Sequence, residues 1–359
     1  MWPYWLLFLI PAQAALASPL RARVNMRRGE MAPWNSGWIA MYLALCGFMG
    51  FRHHVGGDWG NYLDLLDHMD GAPFADAIVM IDPGYAFLCW LSLQAGSGIY
   101  PVNLACAALF SFGLIYFCLS LPRPWLAMTA AIPYLVIVVG MGYTRQGVAL
   151  GCAMAGMVAL RKESKLPFIA WIAVGILFHK SAVLVLPIAG LATSRNRYWS
   201  LLWIAAIAFA AYAAALRDSA SDLVTNYIEA QYQSQGAFLR LAMNLGPAIL
   251  ILRDKRSKEV LGTAYPLWKT VSQISILLFL AYFLSPSSTA VDRIALYMIP
   301  VQLTAISILP DLFRGAAGPK RPWVIAPVLI YALVLAVWLN FAVNAFSWVP
   351  YGNAIFMEQ

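Results

Sequence analysis

YPVNLACAALFSFGLIYFCLSLPRPWLAMTAAIPYLVIVVGMGYTRQGVALGCAMAGMVAL, residues 100–160, holds two charged side chains in 61 positions, Arg123 and Arg145. A hydrocarbon core about 30 Å thick takes about 20 apolar residues per helix. The stretch therefore reads as three consecutive membrane helices, 100–121, 124–141 and 143–160. The same pattern recurs at 2–20, 33–51, 198–216, 237–252, 266–285, 293–313 and 322–345. Two apolar runs are shorter: 83–97 and the pair of segments flanking His179. The chain of 359 residues is 62% hydrophobic and 11% charged, against roughly a quarter charged in a soluble domain. Its mean hydropathy is +0.70. The expected fold is an all-α, polytopic integral membrane bundle, a single domain over 1–359 with about 10–13 transmembrane or re-entrant helices.

The N-terminal run ends in small residues, Ala14, Ala15 and Ala17, as a signal peptide does, but its basic residues follow the apolar stretch instead of preceding it. It is expected to stay as the first membrane helix. The five cysteines all sit in apolar stretches without a CxxC spacing, which argues against a metal-thiolate site or a disulfide framework. The net charge of +8 raises a nucleic-acid partner, which the distribution of that charge excludes. Eighteen of the 24 Lys and Arg fall in short loops between apolar runs: 21–28, Arg123, 161–165, 195–197, 253–269 and 314–321. Basic loops stay on the cytoplasmic side. This placement is consistent if 83–97 is a re-entrant or interfacial helix and 166–193 is a short hairpin with its apex at His179. The loop 52–82, the breaks at 142–146 and 286–292, loop 217–236 and the C-terminus then face outward.

Six basic residues remain outside: Arg52, Arg145, Lys180, Arg217, Arg240 and Arg293. Charge bordering a membrane helix is costly and by default marks a functional site. Guanidinium groups offer planar, bidentate donors that suit a diphosphate. Arg145, beside Tyr143 and Gln146, opens a helix, where the macrodipole disfavours a cation. The placement makes sense if an anion also binds there. Asp292–Arg293 is expected to start the 293–313 helix, with Asp292 as N-cap and Tyr297 one turn on. Arg240 opens 237–252 after the amide-rich Gln231–Gln235, which suits sugar hydroxyls.

In the first outer loop, Gly56-Gly-Asp58 precedes Tyr62 on one helical face. Asp58 is either a helix N-cap or a substrate contact. His53 and His54 are adjacent and project in different directions, so no metal site is expected. Asp64, Asp67, Asp70 and Asp76 read as a solvated face, and Asp82 as the N-cap of the helix opened by Pro83. His179-Lys180-Ser181 at the hairpin apex is either a hydrogen-bonded core cluster or a general base and phosphate ligand. Tyr351, in the aromatic and amide-rich Trp348–Asn353, lies on the same side.

The order of these motifs resembles the EpsG-like exopolysaccharide polymerases, relatives in function of the Wzy polymerases. The resemblance rests on Gly56-Gly-Asp58 with Tyr62, Asp82-Pro-Gly-Tyr85 (where Glu is the commoner acid) and Arg145–Gln146. It continues through His179-Lys-Ser-Ala182, Arg293 with Tyr297, and Pro350–Tyr351, and so spans nearly the whole chain. It implies a GT-C-like membrane glycosyltransferase of the bacterial inner membrane, with its active site facing the periplasm. The implied substrates are undecaprenyl-diphosphate-linked oligosaccharides, one as donor and one as acceptor. Membrane lipids surround the chain, and a chain-length regulator and a flippase of the same pathway are its implied protein partners. An acceptor hydroxyl would attack the donor's anomeric carbon, with Asp58 or His179 as base and Arg145, Arg293 and Arg52 stabilising the departing diphosphate. Neither a cofactor nor a metal is expected, and EDTA should leave activity intact. Two other classes fit less well. A flippase of lipid-linked sugars should show internal inverted repeats, which are absent from the sequence. An acyltransferase needs a histidine nearer the cytoplasmic side than His179 is placed.

Overall fold

The computed structural model describes residues 1–22, 24–161, 164–193, 236–285 and 288–356. The span expected at 198–216, the cation Arg217 and the Gln231–Gln235 stretch lie outside the described residues. The described part is almost wholly helical. Its first helices are α1 (Trp2–Ala17), α2 (Ser36–Gly50), α3 (Trp59–Met69), α4 (Phe74–Ala77), α5 (Pro83–Gln94) and α6 (Ile99–Leu119). Then come α7 (Pro124–Ala131), α8 (Thr144–Arg161), α9 (Lys165–Phe178) and α10 (Leu186–Thr193). After the undescribed segment follow α11 (Ala237–Arg253), α12 (Lys255–Leu261), α13 (Tyr265–Leu284), α14 (Ser288–Leu296), α15 (Pro300–Leu312) and α16 (Pro322–Phe341).

By length and composition, four described segments can cross a membrane: Ile99–Leu119, Lys255–Leu284, Val291–Leu312 and Pro322–Phe341. Shorter apolar helices accompany them. This is an all-α, polytopic membrane protein. α5 is 12 residues long, about 18 Å at 1.5 Å per residue, well short of a bilayer core. α7 runs on into the wider-wound π-helix Ile132–Gly140, and Pro133, which lacks an N–H, falls at that change of winding. Pro300 likewise follows a break at 297–299 between α14 and α15.

α8 forms the centre of the bundle. Its side chains are buried almost all round, so the Ala- and Gly-rich composition serves helix contact more than lipid contact. A Cβ on Gly113 of α6 would stand 2.1 Å from the Gly151 carbonyl oxygen of α8. Backbones approach this closely only where side chains are absent. Gly50 gives α2 the same access to α6, where a Cβ would lie 2.8 Å from Leu104 Cα.

The polar residues gather at two opposite ends. At one, arginines reach the carbonyls that close helices. Arg161 bonds Ser120 O after α6 and also Glu30 O. Arg256 bonds Leu312 O at 2.7 Å, and Arg321 bonds Leu16 O. Arg123 clamps Asp311 in a bidentate pair at 2.6 and 3.0 Å and also holds Leu20 O. Cations are well placed there, since helix C-termini present unsatisfied carbonyls and the negative end of the dipole. These are the loops that the charge pattern assigns to a single side.

At the other end the C-terminal tail folds back over the first loop. β1 (Arg52–His53) pairs antiparallel with β2 (Gly352–Asn353), Arg52 opposite Asn353. Gly56 N donates to Ser347 O at 2.8 Å, Trp348 Nε1 to Ile137 O at 2.7 Å, and Tyr4 Oη to Trp348 O at 2.6 Å. Asn103 and Ser120, which belong to these two ends, are 17 residues apart along α6 and its cap, roughly 25 Å along the axis.

Candidate active site

The site lies at the tail-covered end, where four stretches distant in sequence are knitted together. Thr144 begins α8, so Arg145 falls within its first turn, against the helix dipole. Its neutralising partner is Asp82: Arg145 Nη1 donates to Asp82 Oδ2 at 2.6 Å, with side-chain exposures of 29% and 6%. Asp82 is thus the N-terminal boundary of α5, but its side chain does not cap the helix as expected. The Pro83-Gly84 pair explains how the carboxylate arrives there. Proline starts α5, and glycine lets that turn pass under α9, where a Cβ would be 2.9 Å from Leu177 O. Among the described residues, the buried Arg145 Nε has no hydrogen-bond partner.

Gln146 Nε2 donates to the Arg293 carbonyl at 3.0 Å, which fixes α14 beside α8. Arg293 itself is exposed. It does not open a helix, and Asp292 is not an N-cap as expected: both lie inside α14, whose first residue is Ser288. Asp292 instead takes Arg240 in a bidentate pair, Nε–Oδ1 2.7 Å and Nη2–Oδ2 2.5 Å. The Arg240 guanidinium also lies over Tyr134, 5.9 Å from the ring centroid.

One turn beyond Arg293, Tyr297 closes a chain of hydrogen bonds with the break between α9 and the helical turn Lys180–Val185. The Ser181 backbone N–H donates to His179 Nδ1 at 3.3 Å. An amide N–H can only donate, so Nδ1 is an acceptor and the neutral ring carries its proton on Nε2. Ser181 Oγ, 2.6 Å from the same nitrogen, then donates to it and accepts from Tyr297 Oη at 2.9 Å. Lys180 beside it is exposed.

Asp58 precedes α3 but its side chain does not cap it. Among the described residues, the half-buried carboxylate has neither a hydrogen bond nor an ion pair. Burial raises its pKa, and the opposing charges within electrostatic reach are Arg145, Arg293 and Arg52. His179 is in reach of the first two, and the exposed Tyr143 is in electrostatic reach of Asp58, Arg293, Arg240 and Asp292. Tyr62, beneath Asp58, is buried against Tyr85 with ring centroids 5.3 Å apart. Asp58, Arg145, Arg293, His179 and Tyr143 therefore converge.

Arg52 and Tyr351 are both engaged by protein partners. Arg52 is 1% exposed and donates to Val55 O, Met49 O, Asn103 Oδ1 and Thr144 Oγ1 at 2.8–3.1 Å. It fastens the first loop to α6 and α8. Tyr351 bonds Phe48 O at 2.7 Å and stacks on Phe48 with ring centroids 4.2 Å apart. Arg52 is a buried charge, and such a group needs protein partners of this kind. Asn103 and Thr144, which receive Arg52, carry no sequence signal apart from being polar in apolar runs. Asp64, Asp67, Asp70 and Asp76 are solvated, as expected.

No curated protein and no solved structure matches the chain. The EpsG family model matches residues 37–353, a stretch that takes in the first outer loop, Arg145–Gln146, the His179 cluster, Arg293–Tyr297 and the paired tail. The chain belongs to the EpsG family.

Proposed function

We propose that the chain is a membrane glycosyltransferase that joins polyprenyl-diphosphate-linked oligosaccharide repeat units on the periplasmic side of a bacterial inner membrane. Family membership gives the general statement, an exopolysaccharide-polymerase type of function with glycosyltransferase-like chemistry. The donor, its undecaprenyl diphosphate and the side of the membrane are our reading. What supports the periplasmic side is that the basic loops gather at the opposite end.

One observation supports the mechanism: the partly buried Asp58 carboxylate has, among the described residues, no hydrogen-bond or ion-pair partner and sits within electrostatic reach of three guanidiniums. Asp58 takes the proton of the acceptor hydroxyl as its oxygen attacks the donor's anomeric carbon. The bond from that carbon to the phosphate oxygen breaks, and lipid diphosphate leaves with the electron pair. Arg145, held by Asp82, and the exposed Arg293 lie where that developing charge is stabilised. The Nδ1 of His179 is already an acceptor for Ser181, which favours Asp58 as the base and leaves His179 to donate from Nε2–H. Lys180, Gln146, Ser181 and Tyr297 hold or flank this set. A chain-length regulator and a flippase are the partners proposed for the pathway.

The test is complementation of a deletion strain with wild type, Asp58→Ala, Arg145→Ala and His179→Ala at matched expression, with lipid-linked glycans separated by size. Loss of long polymer with accumulation of single repeats is expected for each variant. Unchanged polymer length, with acyl groups missing or repeats trapped on the inner face, would replace the reading by an acyltransferase or a flippase.

A further inference from the structure

Trp348, on the C-terminal tail, is 3% exposed and touches the two turns that carry the reacting groups. A Cβ on Gly142 would stand 2.5 Å from its Cζ2 and 3.0 Å from its Cη2, so that turn passes the ring only as glycine. A Cβ on Gly57 would be 3.7 Å from the same Cη2, an ordinary van der Waals contact. The two turns also lie directly on each other: Gly56 has a φ of +107°, and a Cβ there would be 2.4 Å from Met141 O. The tail is fastened around this contact. The indole N–H donates to Ile137 O at 2.7 Å, in the π-helix Ile132–Gly140 that leads into the Gly142 turn. Gly56 N donates to Ser347 O at 2.8 Å, and Tyr4 Oη to Trp348 O at 2.6 Å. Trp338 stands edge-on to the ring, with centroids 5.1 Å apart. A close-packed ring held on several sides transmits a displacement instead of absorbing it.

Sequence links these contacts to the chemistry. Asp58 follows Gly57, and Tyr143 and Arg145 follow Gly142. The Asp58 side chain does not cap α3 and, among the described residues, makes no hydrogen bond or ion pair, so the backbone of its turn decides where it points. Arg145 is fixed from the other side by Asp82 at 2.6 Å. How the Asp58 turn sits on the Arg145 turn is then set where the indole touches both.

We propose that Trp348 is a positioning residue: its indole holds the Gly56–Gly57 turn on the Met141–Gly142 turn and so sets Asp58 against Arg145 for the transfer. The role in transfer rests on the polymerase reading, whereas the hold on the two turns does not. Trp348 acts through the backbone of both turns and not by contact with sugar or diphosphate. A misplacement of about 1 Å between groups that act together costs up to about 100-fold in rate.

The test uses the full chain in lipid nanodiscs, with lipid-linked repeat units as substrate. Wild type, Trp348→Phe, Gly142→Ala, the pair Gly142→Ala/Trp348→Phe and Phe346→Ala are compared by kcat and KM of glycan lengthening and by thermal midpoint. Hydrogen exchange is followed at the Gly56, Trp59 and Tyr143 amides, each of which is hydrogen-bonded in the structure. Trp348→Phe shortens the ring and removes its N–H, and Gly142→Ala displaces the ring without altering the tail. Each should speed exchange in both turns together and lower kcat at least about tenfold, with KM within about twofold of wild type. The pair should be no slower than Gly142→Ala alone, because the shorter ring makes room for the methyl group. Phe346 is 74% exposed in the same tail, and Phe346→Ala should match wild type. The proposal falls if KM rises while kcat holds, if exchange speeds up in one turn only, or if the rate follows the thermal midpoint across all variants. Normal lengthening by both single variants overturns the positioning role alone. Faster exchange in both turns, with no lengthening by wild type, overturns the polymerase reading alone.

Discussion

Asp82→Ala removes the oxygen that holds Arg145 Nη1 at 2.6 Å and leaves the guanidinium at a helix N-terminus without its ion-pair partner. Truncating one member of a fully buried pair costs about 3–5 kcal/mol. Arg145 is 29% exposed, so water screens part of this, and about 2 kcal/mol is a reasonable figure. If that free energy goes into losing the guanidinium's aim at the leaving diphosphate, the rate falls about 30-fold, at 1.36 kcal/mol per factor of ten. Asp82→Asn keeps one acceptor oxygen and a neutral hydrogen bond worth about 1 kcal/mol, so its loss is about fivefold. The assay is the initial rate of glycan lengthening by purified protein in nanodiscs, with a thermal midpoint to separate misfolding from misaiming. The double variant Asp82→Ala/Arg145→Ala should be no slower than Arg145→Ala alone, because the carboxylate acts through the guanidinium. Additive losses, or an unchanged rate in Asp82→Ala, would refute this reasoning.

Further outcomes follow from the same geometry. Burial raises the Asp58 pKa, and a base works only when deprotonated. The rate should therefore fall as pH drops through that raised value, above the range of an ordinary aspartate at about 3.9. Asp58→Asn should cost at least about 100-fold, and a wild-type profile flat to pH 4 would contradict the assignment. His179→Gln offers an acceptor to the Ser181 N–H and an N–H of its own, so it should stay within about tenfold of wild type by lengthening rate, while His179→Ala should not. Gly113→Val places atoms against the Gly151 carbonyl and should cost about 3 kcal/mol of stability by thermal or denaturant unfolding. Gly47→Ala meets nothing within 4 Å and should not.

The helices were legible because lipid leaves so few choices. Apolar runs of bilayer length have to be helices, and most of those expected are found within a few residues of their expected ends. The polar islands were legible for a related reason: a charge beside lipid stands out against 62% hydrophobic residues. What each charge would bind was not. Asp82 meets Arg145 from 63 residues away, and Arg52 reaches Asn103 and Thr144 at separations of 51 and 92. Such partners are set by how helices cross, and no local periodicity encodes that. Asp292 shows the converse error. Next to an expected helix start, an aspartate reads as a cap, but α14 begins earlier, at Ser288, and its carboxylate turns to Arg240 instead. Asp82 could have been found from its own motif. Acid-Pro-Gly starts a helix with proline and lets glycine approach another backbone, here Leu177 of α9, while the acid meets Arg145.

Reconstitution decides the central claim. Purified protein in liposomes is supplied with lipid-linked repeat units and no nucleotide sugar, and both glycan length and released lipid diphosphate are followed. The account predicts growth in steps of one repeat, with one lipid diphosphate released per bond and none in Asp58→Asn. Growth only when nucleotide sugar is added, or repeats moved across the bilayer at constant length, would contradict it.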